Sequence, residues 1–136
     1  MMERKTLYQT KVVNRDGIQG KTFVEEPEAY EFKVASPLVQ EEGTNPEQLL
    51  GMAIATCLNA TIEAEELRRG LDHQAQVSVW VDLQEDNIGY QFIVSVQISI
   101  PHVSTELKES IVKVALERCP MHKLMKANAT YKVIIN

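Results

Sequence analysis

The stretch GTNPEQLLGMAIATCLNATIEAEELRRG, residues 43–70, constrains the fold of this chain most, because its apolar residues recur only at helical spacing. Leu49, Leu50, Ala53, Ile54, Cys57, Leu58, Ala60 and Ala64 mark one continuous helix. Thr44 and Glu47 have capping-box spacing, Pro46 suits the first turn, either Thr44 or Asn45 can cap, and Gly70 supplies the stop. The first turns carry almost no charge whereas EAEELRR is strongly polar, so the pattern predicts a helix buried at its start and solvated at its end.

Strand signals flank this helix in groups. TLYQTKVVN, KTFVEE and YEFKVAS are β-branched or aromatic runs separated by Asn14, Asp16, Gly17 and Pro27, which suits a meander. QAQVSVWVDLQ and GYQFIVSVQISI read as a hairpin joined at EDNIG, and Phe92, Val94, Val96, Ile98 and Ile100 give its second strand one dry face. SPLVQEEG and IPHVST are loops, the latter ending in a Ser/Thr cap for the helix ELKESIVKVALERC. A short helix, PMHKLMKA, and a strand, TYKVIIN, complete the chain. The string βββ-α-ββ-α-α-β predicts one α+β domain over residues 1–136. LLGMAIATCLNA is more apolar than one small sheet covers, which points to burial by a second subunit.

A net charge of -5 with no long block of either sign argues against nucleic acid as a partner. The start MMERKTLYQT lacks a signal-peptide core and no apolar run is long enough for a membrane span, so the expectation is a soluble cytoplasmic protein.

Cys57 and Cys119 are the chain's two cysteines. A reducing compartment disfavours a permanent disulfide and leaves reactive, metal-bound or inert roles. Cys119 closes one predicted helix and precedes Pro120, so it can cap the next, whose amides and dipole favour a thiolate and lower its pKa; a small packing residue is the plain alternative. Cys57 sits three turns into an apolar helix, where burial alone makes a thiol inert, so a functional Cys57 needs a cation. Arg15, in NRDGIQG, lies on a loop that can aim it at a site, although a solvated side chain explains it as well. Glu47 either caps its helix or orients Arg15 through a bidentate pair. Ten residues separate Glu47 from Cys57. That spacing is about 15 Å along a helix axis, so a partner subunit or a long arginine must bridge the two. Cys119 and His122 have C-x-x-H spacing, but a structural zinc site needs four ligands, and Cys57, His73 and His102 come from unrelated contexts. Phosphate-loop, nucleophile-elbow and dinucleotide motifs are absent.

TNPEQLL, the cysteine of AIATCLNA ten residues after its glutamate, the later ERCP and the early RDG together resemble the osmotically inducible protein C and organic hydroperoxide resistance (OsmC/Ohr) superfamily, in order and over nearly the whole chain. The resemblance implies an OsmC-like fold: antiparallel sheets with a central buried helix, in an intertwined homodimer. It also implies a thiol-dependent peroxidase that reduces organic hydroperoxides and hydrogen peroxide. By the family's motif Cys57 is the peroxidatic thiol, Cys119 the resolving thiol, Arg15 the activating cation and Glu47 its carboxylate partner. The Cys57 sulfenic acid condenses with Cys119, and an external dithiol, similar to a lipoylated protein, reduces the disulfide. No bound cofactor or metal is expected. Two departures bear on peroxide preference: SPLVQEEG lacks a glycine-rich loop, and CPMHK replaces the usual small or aromatic residue plus serine. Two other readings compete: an interfacial binder of a small apolar ligand without peroxidase activity, and a metal-binding protein using Cys119 and His122.

Overall fold

The computed structural model describes residues 3–136. Its elements are β1 (Lys11–Asn14), β2 (Gly20–Glu26), β3 (Tyr30–Val34), α1 (Pro46–Arg68), β4 (Gln76–Glu85), β5 (Tyr90–Ser99), α2 (Thr105–Arg118), α3 (Pro120–Met125) and β6 (Tyr131–Ile135). The order matches the string expected from periodicity, and the chain divides into two compact units, Met1–Pro46 and Glu47–Asn136.

The first unit is an antiparallel meander in the order β1-β2-β3. Its first turn is built by side chains that replace missing ladder bonds. Asn14 Oδ1 accepts from Gly17 N at 2.8 Å, Asn14 Nδ2 donates to Gly17 O at 2.9 Å, and Asp16 Oδ2 accepts from Lys21 N at 3.0 Å. Gly17 has φ 73°, a left-handed conformation that a side chain resists. β1 is shorter than expected, because Lys11 pairs with Glu26 at the last residue of β2 and residues 6–10 find no continuing partner strand. There Thr10 Oγ1 donates to Glu26 O at 2.6 Å instead. β3 also stops early: Ala35 N donates to Thr44 O at 2.9 Å, and Thr44 N to Lys33 O at 2.8 Å. Gly43, at φ 149°, makes this return possible, since a Cβ there would stand 2.9 Å from the Val34 carbonyl carbon.

In the second unit α1 packs its Ile54, Leu58 and Ile62 into a core shared with Val94, Val96, Ile98 and Ile100 at the end of the hairpin. Spacing of four residues puts the first three on one helix face, and alternation puts the others on one sheet face. Ile111, Val112 and Ala115 of α2 and the side chain of Cys119 complete this core. The sheet has the order β4-β5-β6. Antiparallel pairing, as expected, joins β4 to β5, but β6 runs parallel to β5, so α2 and α3 form the crossover that parallel strands require. Asp86 holds the hairpin turn by accepting from Ile88 N and Gly89 N at 2.9 and 2.7 Å, and Ser104 caps α2 through Leu107 N at 3.1 Å.

The expected polarity of α1 holds only in part within this unit. Met52, Ala53 and Thr56 are exposed in its first half although Ile54 is buried there, and near its end Leu67 and Arg68 are exposed whereas Glu65 and Glu66 are only 3% and 1% exposed. The reason is that each carboxylate is partnered. Glu65 accepts from Arg68 and, at 2.8 Å, from Arg69 Nε; Glu66 meets His73 Nδ1 at 2.7 Å and accepts from Gln74 N at 3.0 Å. The hydrogen bonds from Arg68 and then Arg69 lower the Glu65 pKa to about 2.

Candidate active site

Cys57 and Cys119, 62 residues apart in sequence, are brought together in the second unit with their Sγ atoms 3.9 Å apart. Both are free thiols. α1 presents Cys57 part-buried at the edge of the core, and its backbone carbonyl also accepts from Thr61 Oγ1 at 2.9 Å. A disulfide bond is about 2.05 Å long, so the sulfurs need to approach by roughly 2 Å to form one.

Cys119 occupies the joint between two helices, as its place before Pro120 predicts. Its N–H donates to Ala115 O at 2.8 Å and closes α2, while its carbonyl accepts from Lys123 N at 3.0 Å and opens α3. Its sulfur caps α3 by accepting from His122 N at 3.4 Å. The expected lowering of its pKa does not result. Burial pushes the Cys119 thiol up, and the hydrogen bond from His122 only partly offsets that; the neighbouring Cys57 raises it further. The side chain is fully buried among Ile, Val and Ala residues that the local sequence does not reveal.

The C-x-x-H pair is joined through its backbone. The His122 backbone, rather than its ring, contacts the sulfur, and His122 Nδ1 lies 2.9 Å from the Tyr131 hydroxyl of β6. Among the described residues no cluster of three or more His, Cys, Asp and Glu side chains could hold a metal ion. Burial, then the charge of Lys126, lowers the His122 pKa. Burial and then Cys119 push the Tyr131 hydroxyl up to about 12. Tyr131 carries no motif and sequence reasoning passed it over; its only signal is a polar aromatic at the start of a strand whose last three residues are apolar.

Glu47 lies in the first turn of α1, far along the axis from Cys57, as the ten-residue spacing requires. It borders a cleft of about 430 Å³ with Gly51, Met52, Ala55, Val79 and Val81. Cys57 is not among the lining residues. Arg15 belongs to the first unit, on the loop between β1 and β2, where its guanidinium carbon stands 5.2 Å from the centre of the Phe23 ring. The second unit therefore brings the two thiols together but does not bring Glu47 to them.

The family model for OsmC-like proteins matches residues 39–134. Curated relatives include organic hydroperoxide resistance protein OhrB of Bacillus subtilis, 25% identical over 93% of this chain and 96% of that protein. An organic hydroperoxide resistance protein-like sequence of Staphylococcus aureus is 29% identical over 95% of each. Among solved structures, a Lactobacillus casei protein named only as a candidate redox protein superposes with a TM-score of 0.89 at 32% identity, covering 97% of this chain and 92% of that one. The structure of OhrB from B. subtilis gives a TM-score of 0.83 at 24% identity over 96% and 100%.

Proposed function

The chain belongs to the OsmC-like family, and from that premise we propose that it is a cysteine-based peroxidase that reduces organic hydroperoxides, and hydrogen peroxide, through Cys57. The observation that carries the reading is the 3.9 Å approach of a part-exposed Cys57 to a buried Cys119. The Cys57 thiolate attacks the terminal peroxide oxygen, the O–O bond breaks, and an alcohol or water leaves with the electron pair. Cys57 becomes a sulfenic acid. Cys119 then displaces its hydroxyl as water to give the disulfide, and an external dithiol, such as a lipoylated protein, restores both thiols by exchange.

Arg15 supplies the cation that Cys57 needs, and Glu47 orients it. Both roles require a homodimer or an arginine that reaches across the length separating Glu47 from Cys57. The exposed apolar side chains Val12, Tyr30 and Phe32 on the meander, and Met52 on α1, favour association of two copies, because exposed apolar surface is stabilised by burial against a partner. No helix among the described residues is long and apolar enough to cross a membrane. We place the reaction in the cytoplasm, where dithiol reductants are available.

The test is thiol titration with mass analysis after one equivalent of an alkyl hydroperoxide, in parallel with hydrogen peroxide and a Cys57→Ser variant. Rapid loss of both thiols into one Cys57–Cys119 disulfide, absent in the variant, is expected. Persistence of both thiols through seconds of exposure would overturn the reading.

A further inference from the structure

We propose that Cys57 and Cys119 form a two-coordinate site for a soft divalent cation of the mercuric type, held as a neutral bis-thiolate. The inference needs the thiol pair alone and does not rest on peroxide reduction.

Two free thiols stand 3.9 Å apart, one part-exposed on α1 and the other buried at the joint of α2 and α3. Closing them into a disulfide brings the sulfurs together by roughly 2 Å. A bridging ion asks for less. With metal–sulfur bonds of about 2.3 Å, as thiolates make to a d10 cation, two sulfurs lie about 3.8 Å apart at a tetrahedral angle and about 4.6 Å apart in a linear arrangement. The observed separation falls between those limits, so an ion enters with a shift of less than about 1 Å.

Ligand number and charge decide which ion fits. Among the described residues no third His, Cys, Asp or Glu side chain completes a cluster with the two sulfurs, and His122 directs its Nδ1 to the Tyr131 hydroxyl at 2.9 Å. Zinc, which takes four ligands, is left half-coordinated, and calcium and magnesium want oxygen. Thiolates select soft cations, and the mercuric ion is satisfied by two of them. Cys119 is fully buried among Ile111, Val112 and Ala115, where a net charge is costly. A divalent ion between two thiolates leaves no net charge, whereas a monovalent one such as copper(I) leaves a buried anion. The His122 N–H, 3.4 Å from Cys119 Sγ, stays on that sulfur, because a thiolate keeps lone pairs beyond the one it gives to the metal. The ion meets the part-exposed Cys57 first, and Cys119 closes the chelate. Binding is an exchange without oxidation: two metal–sulfur bonds replace two S–H bonds, one proton from each thiol passes to solvent, and the ion sheds its chloride or water.

The experiment equilibrates the reduced full-length protein with one equivalent of mercuric chloride in about a hundredfold excess of a small monothiol, and reads bound ion by native mass analysis and by sulfur-to-mercury charge-transfer absorption. A chelating protein displaces two monothiols at once, so it survives that excess, and one ion per chain with no attached monothiol is expected. Cys57→Ser and Cys119→Ala each hold the ion through one sulfur and lose it to the competitor, retaining about a hundredth as much. Where Cys119→Ala fails to fold, Cys57→Ser carries the comparison alone, since its side chain is only partly buried against the core. Zinc chloride in place of the mercuric salt is expected to bind at least about a hundredfold more weakly. Two ions per chain, a protein–mercury–monothiol adduct, or a single-thiol variant that keeps as much ion as the unsubstituted protein overturns the site, and zinc held as firmly as mercury overturns its two-ligand character. Treating the metal-free protein with an alkyl hydroperoxide separates the site from the catalytic reading. Thiols that persist under peroxide yet chelate the ion remove the peroxidase reading and leave the site standing; a disulfide that forms in protein unable to keep the ion does the reverse.

Discussion

Cys57 and Cys119 are the same chemical group in unequal surroundings, one part-exposed and the other buried. On the proposed peroxidase reading, the part-exposed thiol meets a peroxide first and the buried one reacts with the sulfur beside it. Replacing Cys119 by serine therefore leaves a Cys57 sulfenic acid with no resolving partner. Mass analysis under excess hydroperoxide is expected to find it climbing to sulfinic and sulfonic acid, whereas the unsubstituted protein stops at the disulfide. Glu65 offers a second test. Its folded pKa of about 2 lies below the ordinary carboxylate value of 4.5, so its stabilising contribution is fully present above pH 4.5 and is lost as pH falls toward 2. Glu65→Gln should accordingly lower the thermal midpoint at neutral pH, with the difference shrinking through that acid window. Both thiols, Arg15 and Glu47 were legible as candidates because their residue types and spacing are local facts. The raised pKa of Cys119 and the burial of Glu65 and Glu66 were not. These depend on β5, on α2, and on partners such as His73 that the chain brings in only by folding.

At the scale of elements, the joint between α2 and α3 positions the Cys119 sulfur, and the far end of α2 is held by Ser104. Ser104→Ala removes the acceptor for Leu107 N and should cost about 1 kcal/mol in denaturant-unfolding measurements, without changing thiol reactivity. Gly43→Ala is more disruptive than an average loop substitution, because the new Cβ meets the backbone of β3 rather than a movable side chain. A lowered unfolding midpoint, with the thiol pair still competent to oxidise, is the expected result. The order and type of every element were legible from periodicity and turn chemistry, since apolar alternation and helical spacing were both clear. Strand ends were less so: residues 6–10 look like strand, but β2 ends before it can pair with them. The parallel placement of β6 also left no local trace, because strand direction is fixed by the crossover and not by the strand's own residues.

At the scale of the whole molecule, the apolar stretch LLGMAIATCLNA, expected to be buried, leaves side chains of α1 exposed. Met52 is 53% exposed beside the cleft that Glu47 borders. If two copies cover this surface, Met52→Glu places a charge in the interface, and sedimentation is expected to show a shift from dimer to monomer with loss of peroxide turnover. An unchanged sedimentation profile would place the contact elsewhere. The partial exposure of Cys57 above a fully buried Cys119 has one more consequence, for the traffic of electrons. If the proposed disulfide forms with these exposures kept, the Cys57 sulfur is the accessible one, and a reductant makes its first bond there and expels Cys119 as the leaving group. On that reading oxidant and reductant share a single port of entry, and each vacates it before the other docks.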